Sequence, residues 1–155
     1  MKRIDALAKW MIKTLQGDAR TSASEMARRM DMRIASLTER VKNLTERDKV
    51  ITGFTIEVDE KKLGWNITTV AIIVLESNRS EELKAFEDMV FDMPEVLECQ
   101  MIKGNADFFI KFLAKDLEDE DRIIRLLANS RNVKSIRAFE TIRCAFRRGA
   151  DPGNE

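Results

Sequence analysis

Histidine is absent from this 155-residue chain, and only two cysteines occur. The first absence removes histidine-ligated zinc and haem, the Ser-His-Asp triad and the Cys-His pair in one step. Cys99 and Cys144 lie 45 residues apart and belong to no CxxC or other metal-ligand spacing, so no structural zinc site is expected. Both fall in strand-like segments, where buried free thiols are common, and both are read as core or interface thiols. Carboxylate chemistry is left open. The main acidic run, Glu118-Asp119-Glu120-Asp121, sits at a helix start, where it favours the helix dipole. No metal or cofactor is expected.

Long apolar runs are also missing. The longest, Val70 to Leu75, has the length of a buried strand and falls far short of the ~20 residues that span a bilayer. Met1-Lys2-Arg3-Ile4-Asp5 lacks the apolar centre of a signal peptide. A soluble, cytoplasmic protein is expected. What the chain does have is enough apolar residue, 44%, for a packed core. Its length suits one ordinary domain or two small ones. The net charge of zero hides an asymmetry: residues 1–50 hold 12 Lys/Arg against 7 Asp/Glu, and the remainder 15 against 20. A basic head on an acidic remainder fits a nucleic-acid-binding head joined to another kind of domain. The plain alternative is chance in a chain that is 35% charged.

Ile4, Leu7, Ala8, Met11, Ile12 and Leu15 recur at three and four, which predicts a helix ended by Gly17. Ser22 followed by Glu25 is a capping box that opens a second short helix to Met30, with Met26, Ala27 and Met30 inward. After Asp31-Met32-Arg33, a third helix runs from Ile34 to about Arg47, with Ile34, Leu37, Val41 and Leu44 inward. Helices this short need each other's apolar faces to be stable. The second and third form a helix-turn-helix, whose second helix is sized for the major groove. The segment Ile51 to Val58 is β-rich and is read as a linking strand over residues 51–60.

Beyond position 60 the order is strand (67–76), helix (81–92), strand (96–103), strand (107–115), helix (117–129) and strand (133–144). That βαββαβ order is the ferredoxin-like arrangement. The expected fold is therefore α+β. A winged-type helix-turn-helix of three helices (1–50) and the linking strand (51–60) precede a ferredoxin-like sandwich (61–146). A flexible tail (147–155) follows. The stretches Thr69 to Leu75 and Phe108 to Leu113 read as apolar on both faces. The sheet face without helices should then pack on a second copy of the chain, giving a homodimer.

At 100° per residue, Ser36, Arg40, Asn43 and Arg47 fall within about 60° of one another and about 100° from the apolar face. Arg reads guanine edges and Asn pairs with adenine. Arg33 and Ser36 lie near the helix start, the part that enters the groove. Arg28, Arg29 and Lys42 are placed for phosphates, which supply affinity without sequence information. The competing reading is an ordinary solvated charged face. Gly104-Asn105-Ala106-Asp107 reads either as a β-turn or as a loop that takes a small effector or a neighbouring subunit.

These residues together resemble the Lrp/AsnC family, the feast/famine transcription regulators. Ala19-Arg20-Thr21-Ser22 with Glu25-Met26-Ala27-Arg28-Arg29 resembles its second helix, and Arg40-Val41-Lys42-Asn43-Leu44 its recognition-helix core. Val50 to Phe54, Lys62-Leu63-Gly64, Pro94 to Cys99 and Gly104 to Phe108 resemble its linker and effector-domain signatures. The resemblance covers about residues 4–146. It implies dimers through the C-terminal sheet, often assembled into octamers, that bind pseudo-palindromic double-stranded promoter DNA. It also implies an amino-acid effector near Gly104 to Asp107, with Asp107 a candidate contact. Three positions depart from the pattern. Arg33-Ile34 replaces a Ser-Pro-like cap. Asp48-Lys49, with an extra residue, replaces a glycine. Ile136 and Ala138 stand where the last strand often offers threonines to the effector. Two other readings compete with the regulator: an effector-binding or assembly module without DNA binding, and a decarboxylase of the sirohaem pathway. Those decarboxylases lean on histidine, which this chain lacks, so no enzyme is expected.

Overall fold

In the computed structural model, which describes residues 4–153, Asp5 starts the first helix, α1 (Ala6–Gly17), by accepting from the Ala8 amide at 2.8 Å. Ser22 caps α2 (Ala23–Met30) by accepting from the Glu25 amide at 3.2 Å. The Glu25 carboxylate takes the Arg29 guanidinium. Asp31 ends α2 with φ +50, in the left-handed region, and Met32 N–H donates to the Ala27 carbonyl. The third helix, α3 (Ile34–Lys42), begins at Arg33, whose side chain makes no capping bond. Met11, Met26, Ala27, Leu37 and Leu44 are buried between the three helices.

Four expectations change here. Ile34 faces out, at 55% exposure, and Met30 is also exposed. Met32, from the turn, packs partly against the core instead. A residue at the very start of a helix has neighbours on one side only, so helical spacing does not settle its burial. The α-helical ladder also stops at Lys42. Asn43–Arg47 form a π-helical turn in which the Asp48 amide reaches back five residues to the Asn43 carbonyl. Lys49 then takes φ +49, and the Val50 and Ile51 amides both donate to the Leu44 carbonyl. Asp48-Lys49, where the resemblance implies an extra residue, thus lies at the exit of a π-helical turn. Finally, residues 52–58 form no strand, because a single strand without a ladder partner leaves its amides and carbonyls to water.

The second unit spans residues 58–145. After a 3-10 turn (Lys61–Leu63) closed by Gly64 at φ +90, the elements are β1 (Ile67–Leu75), α4 (Ser80–Phe91), β2 (Val96–Met101), β3 (Phe108–Ala114), α5 (Leu117–Ala128) and β4 (Val133–Glu140). The strands lie in the order β2-β3-β1-β4, all antiparallel. This is the expected α+β ferredoxin-like sheet. Alternate β1 residues Ile67, Thr69, Ala71, Ile73 and Leu75 are buried under the helices. They meet Phe86 and Val90 of α4 and Ile123 and Leu127 of α5. The buried Thr69 hydroxyl donates to the Glu120 carboxylate, so this polar group is satisfied. Asp116 caps α5 by accepting from the Asp119 amide, and Asp119 accepts in turn from the Lys115 amide. The acidic run is thus capping and surface chemistry.

Both cysteines are exposed in the chain, which corrects a core reading. Cys99 lies on β2, an edge strand, and β4 ends at Glu140, before Cys144. Residues 146–153 belong with residues 4–57, and Gln16 Nε2 donates to the Ala150 carbonyl at 2.8 Å.

Candidate nucleic-acid interface

Ser36, Arg40, Asn43 and Arg47 line one groove of about 840 Å³, with Asp5 and Ala8 of the α1 start opposite them. The sequence places these four on one stripe, and the fold keeps them together. It does not leave them equally open. Ser36 and Arg47 are exposed, whereas Arg40 and Asn43 are half-buried. The reason is the α1 start, which lies against the middle of the stripe. Arg40 Nη1 donates to both oxygens of Asp5, at 3.0 and 2.7 Å. The Ala8 amide and the Arg40 guanidinium together hold the Asp5 carboxyl below the usual carboxylate range.

Most of the other predicted cations also have carboxylate partners. Arg29 pairs with Glu25, Lys42 with Glu46 at 3.8 Å, and Arg47 with Asp48 at 3.0 Å. These pairs are exposed, and such pairs exchange readily for phosphates. Arg28 and Arg33 have no ion-pair partner among the described residues. Both are exposed, one near the end of α2 and one at the start of α3. Because Arg33 offers no acceptor, the first amides of α3 are left without a side-chain cap. Such amides and the positive end of the helix dipole suit an anion. Ile34 beside them is an apolar group of the kind that meets a thymine methyl. Sequence spacing assigned it to the core. The usable signal was its place one residue past an uncapped start.

In the second unit, Gly104 takes φ +144 in the turn between β2 and β3. Ala106 is buried and Asn105 exposed. Asp107 Oδ2 accepts from the Leu75 amide at 2.7 Å, and the Asp107 amide donates to the Ile73 carbonyl at 2.9 Å. One oxygen of Asp107 therefore pins the end of β1. Ile136 stands opposite Ile73 in the ladder and packs partly into the core, while Ala138 stands opposite Ala71 and is exposed. The turn and β4 thus meet the same stretch of β1.

The sheet face away from the helices carries Val70, Ile72 and Val74 on β1. In register with them stand Phe109 and Lys111 on β3 and Ser135, Arg137 and Phe139 on β4. Glu98 and Gln100 complete it on β2, Glu98 opposite Lys111. The face is apolar along its central strand and mixed at its sides, which is narrower than the run of apolar letters suggests.

Known proteins match this arrangement. The Lrp/AsnC ligand binding domain model matches residues 68–148. Transcriptional regulator AzlB of Bacillus subtilis is 34% identical over 115 residues, covering 74% of this chain and 73% of that one. A leucine-responsive regulatory protein of Rhizobium meliloti is 29% identical over 141 residues, or 90% of each chain. The structure of E. coli AsnC superposes with a TM-score of 0.85 at 22% identity, covering 96% of this chain and 99% of that one, and so shares the fold. With the family model spanning half of the chain and a regulator matched above 30% identity, the chain belongs to the Lrp/AsnC family of transcriptional regulators.

Proposed function

We propose that this chain is a sequence-specific transcriptional regulator that binds double-stranded promoter DNA as a two-fold homodimer in the cytoplasm, and that it is not an enzyme. The observation that carries the reading is the open start of α3: an uncapped helix end, with Arg33, Ile34 and Ser36 exposed and Arg28 nearby on α2. Arg33, Ser36 and Asn43 are the candidates for base contact. Arg28, Arg29, Lys42 and Arg47 are the candidates for phosphate. The apolar β1 stripe Val70-Ile72-Val74 supports pairing with a second copy, and the octamers that the family resemblance implies would assemble from such pairs. An amino acid or related small effector would sit near Gly104, Asn105, Ala106 and Asp107, with Ile136 and Ala138 behind. The other oxygen of Asp107, which accepts no hydrogen bond among the described residues, suits an ammonium group, and the matched model is that of a ligand-binding domain.

A gel-shift titration on the protein's own promoter tests the reading. Tight binding should weaken by about 10³-fold or more between roughly 50 and 200 mM salt if six or more phosphates are neutralised. Weak binding with no sequence preference would favour a second reading, an assembly module without DNA binding. The internal pairs of Arg29, Arg40, Lys42 and Arg47 are what speak for that alternative. A thermal-shift series over the amino acids tests the effector site through ligand-linked stabilisation. No shift with any of them would leave Gly104 to Asp107 as a plain turn or an assembly contact.

A further inference from the structure

One carboxylate does two things at the start of α1. Asp5 caps the helix through the Ala8 amide and, with both oxygens, holds Arg40 from 35 residues along the chain. Arg40 lies near the end of α3, half-buried against the α1 start. An arginine that reads guanine must offer its fork to O6 and N7 together. Here Nη1 bonds to both Asp5 oxygens, and unlike the other pairs of this face this one joins two helices. Releasing it would also leave a bare carboxylate facing a polyanion. The first turn of α3 has no such commitment, since Arg33 is exposed and without an ion-pair partner among the described residues. We propose that Arg40 is a positioning residue: clamped by Asp5, it sets α3 against the capped start of α1 and masks the Asp5 charge, while base reading falls to Arg33 and Ser36. This inference rests on the DNA-binding function proposed above, and it removes Arg40 from the base readers that the sequence suggests.

The test is a mutant cycle on the full chain, read by fluorescence anisotropy well below the melting temperature. Its probes are a duplex selected from a random pool by the wild-type protein and a shuffled duplex of the same composition. Asp5→Asn keeps an N-capping residue and removes only the charge. In the Arg40→Gln background it should tighten binding, because there it only deletes a repulsive carboxylate. In the wild type it should fail to tighten it, because the clamp is lost as well. The coupling between the two should be about two- to fivefold, the range of an exposed pair. Arg40→Gln should weaken both duplexes alike, and Arg40→Lys should restore most of the loss. Arg33→Gln should cut the ratio of selected to shuffled affinity by about fivefold or more. The proposal is overturned if Arg40→Gln collapses that ratio, or if Asp5→Asn tightens wild-type binding as much as it does in the Arg40→Gln background. A wild-type chain that selects no duplex from the pool defeats the DNA-binding reading alone. Thermal melts of the wild type, Asp5→Asn, Arg40→Gln and the double variant then decide the clamp: non-additive losses keep it and additive losses overturn it.

Discussion

The two units bury and expose opposite things. The three-helix unit has a small aliphatic and sulfur core, with Met11, Met26 and Leu37 its largest fully buried side chains. The sandwich buries Phe86, Phe108 and Phe112, with the Phe86 and Phe108 rings 4.9 Å apart. Outside, the order reverses. The helical unit presents cations at the α2–α3 turn, and the sandwich presents the stripe Val70-Ile72-Val74. Charged contacts with DNA are made and released with salt. Burial of an apolar sheet face is non-directional and salt-tolerant. On the function proposed above, the first face suits an exchangeable partner and the second a lasting one.

The largest effects should come from the cores, and they should divide by function. Phe108→Ala should cost about 3–5 kcal/mol of stability, and Leu37→Ala about 2–5 kcal/mol. Different readouts are expected for the two. Leu37→Ala should lose DNA binding in anisotropy at temperatures where sedimentation still shows the dimer. Phe108→Ala should lose the dimer. Loss of dimer in the Leu37→Ala protein would break the division.

Next comes the sheet face. Ile72 stands between Phe109 and Arg137 in register, on the face away from the helices. Ile72→Lys would bury an ammonium next to a like charge, at a cost of about 3–5 kcal/mol to association. Sedimentation should show a monomer at concentrations where the wild type is dimeric, with the sheet's far-UV circular dichroism retained. A dimer that survives this change would move the interface elsewhere on the sandwich.

Much of this was legible in the sequence, and the exceptions have physical causes. Element order and type follow from the letters, and Ser22 caps where it is expected to; the alternate burial of β1 through Ile67, Thr69 and Ala71 does not, because its letters are apolar on both faces. The misses cluster where local pattern ends. Ile34 and Met30 flank a turn, where one-sided neighbours decide burial. Residues 52–58 have strand composition but no ladder partner within one chain. Of the site, the stripe on α3 and the Gly104 to Asp107 turn were visible. The Asp5–Arg40 pair was not, because its members are 35 residues apart and only the crossing of two helices joins them.

The start of α3 allows a smaller change with opposed signs. Arg33→Ser supplies the missing cap, and a cap of this kind is worth about 0.5–2 kcal/mol. The melting temperature should rise. DNA affinity should fall, by about 1–3 kcal/mol if Arg33 reads a base. A variant that gains stability and keeps its specificity would return α3 to the status of an ordinary solvated helix.

The smallest effect belongs to Lys49, at the exit from the π turn. A lysine at φ +49 carries the Cβ crowding of the left-handed region, about 1–2 kcal/mol. Glycine removes that crowding but adds conformational entropy to the unfolded chain, which offsets part of the gain. Lys49→Gly should therefore stabilise by about 0.5–1 kcal/mol, raising the melting temperature by roughly 1–4 °C for a chain of this size. The π turn itself should survive, because the Leu44 carbonyl still receives the Val50 and Ile51 amides. The same variant removes one cation from the basic unit, so its DNA affinity separates two roles. Unchanged affinity with higher stability makes Lys49 a backbone solution to an inserted residue. A fall in affinity with a shallower salt slope would make it a phosphate contact, and would extend the exchangeable face of the helical unit past the end of its recognition helix.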